Sequence, residues 1–326
     1  MIKAIVLEKH GGPDNLLWKD IQDTPPLPQE VKIKQLYTSV NYADINFRNG
    51  TYKPPRLPII LGREAVGIVE EKGIAVKNFK VGDRVGYVSQ FGGYSEKNNI
   101  NEELLIPIPN SIPNELAAAS LLKGCTAQYL LKQTYNVQEG DTVLIHAAAG
   151  GVGLIACQWA RHLGATVIGT VSTDEKAKMV KNYGCDFPIV YTKENFVDKV
   201  LDITNGKKLP VVYDSVGKLT FLESLKCLDK RGLIVSYGNA SGPPDDLDVL
   251  ELMKHGSLFL TRPTLADYTS DRKELVNTAN DLFDVINSGS VKVEINQTYA
   301  LEDVGGAHKD IEERKTTGST VLKTNL

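Results

Sequence analysis

The stretch of the chain that most constrains its fold is Thr142–Gly153, TVLIHAAAGGVG. It opens with an apolar run rich in branched side chains, which is typical of a buried strand. Three alanines and three glycines follow. After them, apolar residues recur at helical spacing as far as Leu163, and Gly164 is the predicted C-cap. The sequence therefore predicts a strand, a tight glycine turn and a helix, which is the setting that a dinucleotide-binding turn requires.

The glycines of this turn have separate physical roles. Gly150 has no side chain, so the backbone there can approach a pyrophosphate closely, and Gly153 allows the helix to pack tightly on its strand. The N–H groups at the start of the helix then face the phosphates. Ala148 occupies the position of the first glycine in the usual G-x-G-x-x-G pattern. Because a strand and a helix flank the turn, we interpret it as a nucleotide site rather than a ligand-free turn.

Length and charge narrow the class of protein. A chain of 326 residues exceeds one ordinary core, so two domains are expected. Its 37 Lys and Arg nearly balance 40 Asp and Glu, which leaves no broad positive surface for nucleic acid or membrane. We therefore expect neither as a partner.

Targeting and redox signals are also absent from the sequence. The N-terminus lacks the apolar core of a signal peptide, and no apolar run approaches the ~20 residues of a membrane span. No two of the four cysteines form a C-x-x-C pair, so neither a zinc ribbon nor a redox dithiol is indicated. Buried free thiols in a cytoplasmic protein are the expectation.

The first part of the chain, up to about residue 110, is predicted to be rich in strands. The predicted strands are Ile2–Leu7, Val31–Tyr37, Ala65–Glu70 and Arg84–Val88. Glycines between Gly62 and Gly82 suit the bends of a small barrel. From Pro113 the pattern becomes helical, with one stretch from Asn114 and a second from about Cys125 to Tyr135.

From Thr142 onward, six strands alternate with helices, which predicts a doubly wound parallel sheet in the order 3-2-1-4-5-6. Ser172 is the predicted N-cap of the helix after the second strand, with Glu175 completing a capping box. A helix at 272–288 and strands at 291–298 and 320–323 are predicted to rejoin the first part of the chain. The predicted domains are thus residues 1–123 with 264–326, and residues 124–263.

The tip of the second strand bears on the choice of cofactor. In a NAD-specific turn an acidic residue there binds the ribose 2′-hydroxyl. Here Ser172 and Thr173 follow the strand and Lys176 lies within the next helical turn, a set that suits a 2′-phosphate. Asp174 argues mildly the other way, although a first-turn acid is also ordinary helix capping. We therefore predict NADPH as cofactor.

A family resemblance rests on the pattern Gly140-Asp141-x-x-Leu144-x-x-x-Ala148-Ala149-Gly150-Gly151-x-Gly153-x4-Gln158. At every specified position it resembles the signature of the quinone oxidoreductases and zeta-crystallins. Residues 62–85 resemble the corresponding part of the wider medium-chain dehydrogenase/reductase superfamily. The resemblance implies a GroES-like β-rich catalytic domain, a Rossmann domain, a cleft between them, and NADPH-dependent reduction of quinones.

The resemblance also implies a set of site residues. The substrate cleft would be lined by Asn41, Tyr52 and Thr126. The residues expected to bind the cofactor are Asn41, Thr126, Ala149, Gly150, Gly151, Val152, Ser172, Thr173, Lys176, Tyr191, Ser215, Tyr237, Gly238, Asn239, Leu260, Thr261, Arg262 and Arg314. Asn46 stands where the family often has a second tyrosine, which is expected to widen the substrate pocket.

Two positions argue against zinc. Zinc-dependent relatives carry Cys where this chain has Asn41, and Gly-His-Glu where it has Gly62-Arg63-Glu64. Amide and guanidinium groups are poor zinc ligands, so we predict a metal-free enzyme. A quinone, or another small electrophilic carbonyl compound, is then the expected substrate, because it needs little polarisation.

Other functions and the assembly remain open at this point. An alkenal or enone reductase would use the same hydride geometry, and some zeta-crystallins bind AU-rich RNA under control of NADPH. The sixth strand, Ser257–Thr261, is apolar and is predicted at the sheet edge. Pairing of this strand with its twin would give a homodimer that buries Leu258, Phe259 and Leu260. The alternative is a monomer whose tail covers this edge.

Overall fold

The computed structural model describes residues 1–324. Its contacts form two compact units. The first comprises Met1–Cys125, Thr269–Asn287 and the chain from Val293 onward, and the second comprises Thr126–Tyr268 and Ser288–Lys292. The predicted domain boundaries, after residues 123 and 263, remain a prediction. Asn325 and Leu326, the last residues of the predicted GroES-like domain, lie outside the described residues.

The elements are numbered along the chain. The strands are β1 Ile2–Leu7, β2 Leu16–Ile21, β3 Glu30–Val40, β4 Ile59–Ile60, β5 Glu64–Lys72, β6 Arg84–Val88, β7 Lys97–Asn101, β8 Ile106–Pro107, β9 Thr142–Ile145, β10 Thr166–Val171, β11 Phe187–Val190, β12 Leu209–Asp214, β13 Leu228–Ser236, β14 Phe259–Thr261, β15 Ile295–Ala300 and β16 Ser319–Lys323. The α-helices are α1 Tyr42–Asn49, α2 Asn114–Tyr129, α3 Gly151–His162, α4 Asp174–Lys181, α5 Phe196–Ile203, α6 Phe221–Cys227, α7 Leu250–Lys254, α8 Leu265–Tyr268, α9 Arg272–Asn287 and α10 Val304–Glu312.

The first unit is built mainly from antiparallel strands. One sheet has the order β15-β16-β3-β5-β6-β8, with β7 also paired to β3, and a smaller sheet has the order β2-β1-β4. The late strands β15 and β16 join this unit through β3, as the sequence predicted. Gly67 in β5 is required by close packing, because a Cβ atom there would lie 2.1 Å from the carbonyl oxygen of Lys34.

The second unit is the predicted parallel sheet, with the order β11-β10-β9-β12-β13-β14. In chain order this is 3-2-1-4-5-6, so the predicted Rossmann topology is confirmed. A buried layer that includes Leu144, Ile168, Val212 and Ile234 joins neighbouring strands to the helices. Because the carboxyl ends of parallel strands share one edge, the loops that follow them lie together there.

The prediction of two helical stretches between residues 114 and 135 was wrong. A single helix, α2, runs through Gly124 and continues as a π-helical turn over Leu130–Thr134. Gly124 does not break the helix because Leu282 of α9 packs directly on it, and an added Cβ would lie 2.3 Å from the Leu282 side chain. Here tertiary packing overrides the low helix propensity of glycine.

The edge strand is shorter than predicted. Ser257 has a left-handed backbone (φ 56°), and the strand begins at Phe259. Leu258 is buried in the core of its own unit, so the expectation that a second chain covers it was wrong. Phe259 and Leu260 are exposed, to 61% and 39%.

Within residues 1–324, every helix is too short or too polar to cross a bilayer.

A buried polar network ties α1 to α10 in the first unit. The Arg48 guanidinium donates to His308 Nδ1 at 3.2 Å and to Glu312 Oε1 at 2.6 Å. Since arginine only donates, His308 carries its proton on Nε2 and donates it to the Tyr94 hydroxyl at 3.1 Å. Tyr94 in turn donates to Asp44 Oδ2 at 3.1 Å. Burial, reinforced by the positive charge of Arg48, lowers the pKa of His308 to about 3.

This network predicts a loss of stability in acid. Below the ordinary histidine pKa of about 6.5 the unfolded chain takes up a proton that folded His308 refuses until about pH 3. His308 therefore contributes stability above pH 6.5 that disappears as the pH falls through this window, on the order of 3–5 kcal/mol. We expect His308→Asn to be less stable at pH 7 but to lose less free energy of unfolding between pH 6.5 and 4.

Denaturant titrations at several pH values measure this difference. His162→Asn, at an exposed histidine, is the control and should follow the wild type. Parallel pH profiles for His308→Asn and the wild type would contradict the assignment.

Candidate functional site

The glycine turn after β9 presents bare backbone at the sheet edge. Gly150 is the N-cap of α3, so no side chain caps the start of this helix. The first helical residues, Gly151, Val152 and Gly153, carry N–H groups without intrahelical acceptors. An added Cβ at Gly150 would contact only the Ala147 carbonyl oxygen, at 3.3 Å, whereas one at Gly153 would lie 2.4 Å from the same oxygen. The turn is therefore open at Gly150 and tightly packed at Gly153, as the sequence predicted for a phosphate site.

The tip of β10 brings together the residues predicted to choose the cofactor. The predicted N-cap, Ser172, was wrong: Thr173 caps α4, and its hydroxyl accepts from the Lys176 backbone N–H at 3.3 Å. Thr173 has the extended backbone of a cap, so the helix starts one residue later. The Asp174 carboxylate, one of two acidic side chains in the first turn of α4, forms an ion pair with Lys193.

The next loops of the second unit interlock at the same edge. Asp214 is buried at the end of β12, and its carboxylate accepts from the N–H groups of Val216 and Gly217 at 2.7 and 3.0 Å. The Tyr237 N–H after β13 donates to the Asp214 carbonyl oxygen at 2.8 Å. An added Cβ at Gly238 would lie 2.7 Å from the Ser215 carbonyl oxygen. These contacts hold the loops that carry Ser215 and Tyr237–Asn239 together.

The remaining predicted cofactor residues are divided between the two units. Tyr191 follows β11 and is 40% exposed, and its N–H donates to the Val171 carbonyl oxygen at 3.1 Å. Leu260–Arg262 lie at the end of β14, and Arg262 is exposed. Arg314 belongs to the first unit, where it follows α10 with a left-handed backbone (φ 59°). Thr126 is buried in α2 and is counted with the second unit.

A buried histidine supports the sheet edge without facing it. His146 follows β9, and its ring nitrogens lie 2.9 Å from the hydroxyl oxygens of Thr170 and Ser224. Burial lowers the pKa of His146, and the charge of Asp214 opposes this shift only in part. Neutral His146 therefore joins two strands to α6 as a structural group.

In the first unit, Asn41 is fixed by a buried carboxylate. The Asn41 side-chain amide donates to Glu64 Oε1 at 2.8 Å, and the Leu122 backbone N–H donates to Glu64 Oε2 at 2.8 Å. The Ser39 hydroxyl also donates to Glu64. The Lys123 ammonium lies 3.5 Å from Glu64 and donates to Ser39 at 2.7 Å. Asn41 also forms the capping box of α1 with Asp44, whose carboxylate accepts from the Asn41 backbone N–H at 2.9 Å.

Tyr52 lies in the same unit, in the loop after α1. Its N–H donates to the carbonyl oxygen of Asn46, which is itself buried. The Tyr52 ring meets Phe47 edge-on, with ring centroids 5.5 Å apart. Asn41 and Tyr52 therefore flank α1, whose Phe47 side chain supports the Tyr52 ring.

No cluster of three His, Cys, Asp or Glu side chains suited to a metal occurs in the part of the chain that the structure describes. At the positions compared with zinc enzymes, the Asn41 amide donates to Glu64 and the Arg63 guanidinium donates to the Ser89 carbonyl oxygen.

Three site residues were missed in the sequence. Lys123 carried a usable signal, because it is a lone charge within the apolar helical run Leu116–Cys125. Glu64 opens an apolar strand and carried the same signal. The pairing of Lys193 with Asp174 carried none, since it joins loops of neighbouring strands.

Comparison with known proteins agrees with this architecture. Residues 27–140 match the family described as "Alcohol dehydrogenase GroES-like domain", and residues 151–283 match "Zinc-binding dehydrogenase". The chain is 48% identical to a quinone oxidoreductase of Pseudomonas aeruginosa and 44% identical to a 2-haloacrylate reductase of a Burkholderia species, each over 99% of both chains. The structure of an Escherichia coli quinone oxidoreductase complexed with NADPH superposes with a TM-score of 0.97 at 44% identity, covering 98% of this chain and 99% of that one.

The two matched regions define a medium-chain dehydrogenase/reductase with a GroES-like and a Rossmann part, as the sequence predicted. Within that superfamily the chain belongs to the quinone oxidoreductase family.

The buried Glu64–Lys123 pair generates a stability prediction. Glu64→Gln leaves the Lys123 ammonium buried without its counter-charge. Lys123→Met likewise leaves the Glu64 carboxylate buried without its counter-charge. Each change should lower the free energy of unfolding by about 3–5 kcal/mol. The double variant Glu64→Gln/Lys123→Met should lose less than the sum of the two, because neither charge remains.

Denaturant unfolding of the four proteins measures the coupling. The exposed pair Lys226–Glu223 supplies the control, and Lys226→Met should change the stability by less than about 1 kcal/mol. Strict additivity of the two buried changes would show that Glu64 and Lys123 do not depend on each other.

Proposed function

We propose that this protein reduces quinones, with NADPH as the hydride donor and without a metal ion. The observation that carries the proposal is the carboxyl edge of the parallel sheet, where an open glycine turn adjoins a strand tip that bears hydroxyls and Lys176. The similarity to an Escherichia coli quinone oxidoreductase complexed with NADPH supports it. A cytoplasmic location is part of the same proposal.

The residues present fit the cofactor. The uncapped start of α3 and the space over Gly150 would receive the pyrophosphate. Ser172, Thr173 and Lys176 would hold the 2′-phosphate, and the ion pair between Asp174 and Lys193 reduces the negative charge there. The other predicted ligands extend along the same edge: Ala149, Gly151, Val152, Tyr191, Ser215, Tyr237, Gly238, Asn239, Leu260, Thr261 and Arg262. We include Arg314, Asn41 and Thr126 by family resemblance.

The chemistry divides between cofactor and protein. When bound, NADPH supplies a hydride. The chain's own contribution is to position the acceptor and exclude water. Asn41, held in place by Glu64, would line the acceptor site, and Tyr52 would donate a hydrogen bond from its hydroxyl. A quinone accepts hydride readily because its product is aromatic, so this modest set suffices.

Steady-state oxidation of NADPH by the purified protein tests the function. A simple neutral quinone and an α,β-unsaturated aldehyde are compared at equal concentrations. We expect turnover with the quinone. If the quinone gives no NADPH oxidation with folded protein while the aldehyde does, the enone-reductase function replaces this one. The 44% identity to a 2-haloacrylate reductase supports enone reduction as the second candidate function.

Metal independence has its own test. Asn41 and Arg63 cannot complete a zinc site. Exhaustive treatment with a chelator should leave the quinone turnover unchanged. Stoichiometric zinc in the purified protein, together with turnover that the chelator abolishes and zinc restores, would overturn this part of the proposal.

The proposed preference for NADPH over NADH can be tested with the variant Lys176→Ala. Lys176→Ala removes a charge-assisted hydrogen bond to the 2′-phosphate and should weaken NADPH binding by roughly 1–3 kcal/mol, while NADH binding hardly changes. Titration of cofactor fluorescence gives both constants. Lys178→Ala, at an exposed lysine of the same helix, is the matched control. An equal loss for NADPH and NADH would show that Lys176 does not recognise the phosphate.

We also propose a homodimer through the edge strand β14. Phe259 is 61% exposed on this strand, and Met253 of α7 and Leu222 of α6 are 62% and 50% exposed. Among the described residues, the outer edge of β14 has no paired strand. An apolar edge of this kind is an aggregation hazard in a monomer, and pairing with its twin would satisfy the backbone groups.

The dimer predicts a change in sedimentation. Wild-type protein should sediment as a dimer at micromolar concentration, and Phe259→Lys should give monomers because it places a charge in the interface. Ile74→Lys alters a residue that is 97% exposed in the first unit and should leave the dimer intact. Leu258 is unsuitable for this test because it belongs to the core. A monomeric wild type would rule the interface out.

A further inference from the structure

Arg63 is held in an aromatic cradle in the first unit. Its guanidinium carbon lies 5.1 Å from the ring centroid of Phe47 and 4.7 Å from that of Phe91. The two rings meet edge-on at 5.0 Å, and Phe47 also contacts Tyr52. At the level of the sequence, Arg63 serves only as evidence against a zinc site. The structure places it beside Glu64, which fixes Asn41, and over the ring that supports Tyr52.

Most of the hydrogen-bonding capacity of Arg63 is unused. A guanidinium carries five N–H donors. Within residues 1–324, one of them is used, from Nη2 to the Ser89 carbonyl oxygen at 2.7 Å. Nε is buried and has no acceptor. A buried donor without a partner costs about 1–3 kcal/mol, so a site that keeps one usually has a use for it.

The charges around Arg63 do not neutralise it by contact. Asp44 interacts with it electrostatically, but Asp44 Oδ2 accepts from the Asn41 N–H and the Tyr94 hydroxyl, and the buried Oδ1 has no partner. Burial raises the pKa of Asp44 to about 6. The other nearby carboxylate, Glu64, is already bonded to Asn41. Arg63 is thus a half-buried cation with free donors.

Arg272 shows what a purely structural arginine looks like in the same unit. It lies over the Phe79 ring at 5.3 Å, much as Arg63 lies over its rings. However, its Nη1 donates to the carbonyl oxygens of Glu102 and Leu105, at 2.8 and 3.0 Å. Arg272 therefore fastens two segments together, whereas Arg63 has one backbone anchor and donors left for a ligand.

We propose that Arg63 is a catalytic residue that donates hydrogen bonds to the acceptor oxygen on which negative charge develops during reduction. The proposal rests on the proposed function. Hydride transfer oxidises NADPH to NADP⁺ and reduces the quinone to a hydroquinone monoanion, and water supplies the second proton. Arg63 keeps its own protons and acts by charge and hydrogen bonding, so that a guanidinium stabilises the oxyanion that a metal ion stabilises in zinc enzymes.

The first experiment compares Arg63→Met with Arg272→Met. We expect Arg63→Met to lower kcat for a methyl-substituted, electron-rich quinone by about 10²-fold, with the NADPH dissociation constant unchanged. The loss should be smaller for an electron-poor quinone, which needs less stabilisation of its oxyanion. Arg272→Met should lower the melting temperature and leave kcat for both quinones within twofold.

Chemical rescue separates catalysis from packing. In Arg63→Ala, millimolar guanidinium should restore part of the lost kcat, and urea, its neutral counterpart, should not. Arg63→Lys, which keeps the charge, should retain more activity than Arg63→Met and serves if the smaller variants fold poorly.

Two outcomes overturn the role of Arg63 while leaving quinone reduction intact. One is active wild-type protein whose Arg63 variants keep kcat within twofold. The other is an equal loss for all quinones with no rescue by guanidinium. Wild-type protein that does not reduce quinones contradicts the proposed function itself.

Discussion

The buried carboxylate of Glu64 is the interaction on which the first unit's site depends. It opens β5, yet its hydrogen bonds reach Ser39 at the end of β3, Asn41 at the start of α1 and the backbone of Leu122 in α2. A fully buried charge is tolerated only when it is paired and hydrogen-bonded, and Lys123 provides the pairing. One ionised group thereby fixes the relative positions of two strands and two helices, and it sets which way the Asn41 amide faces.

Cations carry out different tasks in the two units. Lys123 is buried against Glu64 and maintains the framework, whereas Arg63 keeps most of its donors uncommitted. In the second unit, Lys193 offsets the Asp174 carboxylate at the strand tip where Lys176 lies. Recognition of a phosphate or an oxyanion needs a cation that the fold has not already neutralised. In the first unit, the carboxylate next to Arg63 in the sequence, Glu64, is hydrogen-bonded to Asn41 and to the backbone of Leu122.

The sequence predicted the second unit more completely than the first. The strand–glycine turn–helix pattern at Thr142–Gly153 and the alternating elements after it specify a parallel sheet, because each crossover is local and right-handed. Helix limits near Gly124 and Ser172 were wrong, since Leu282 packs on Gly124 and the Thr173 hydroxyl takes the cap. The Glu64 network lay beyond prediction, because its members are separated by up to 84 residues and meet only through tertiary structure. The roles of the predicted site residues remain predictions.

Transfer of deuterium from NADPH labelled on one face of the nicotinamide tests the central claim most directly. Chelator-treated protein should oxidise this NADPH with a quinone. One of the two C4 labels should give a primary isotope effect on a single turnover, and the other should give none. Oxidation that requires added metal, or the absence of a primary isotope effect from either label with hydride transfer shown to limit the turnover, would contradict a metal-free direct hydride transfer.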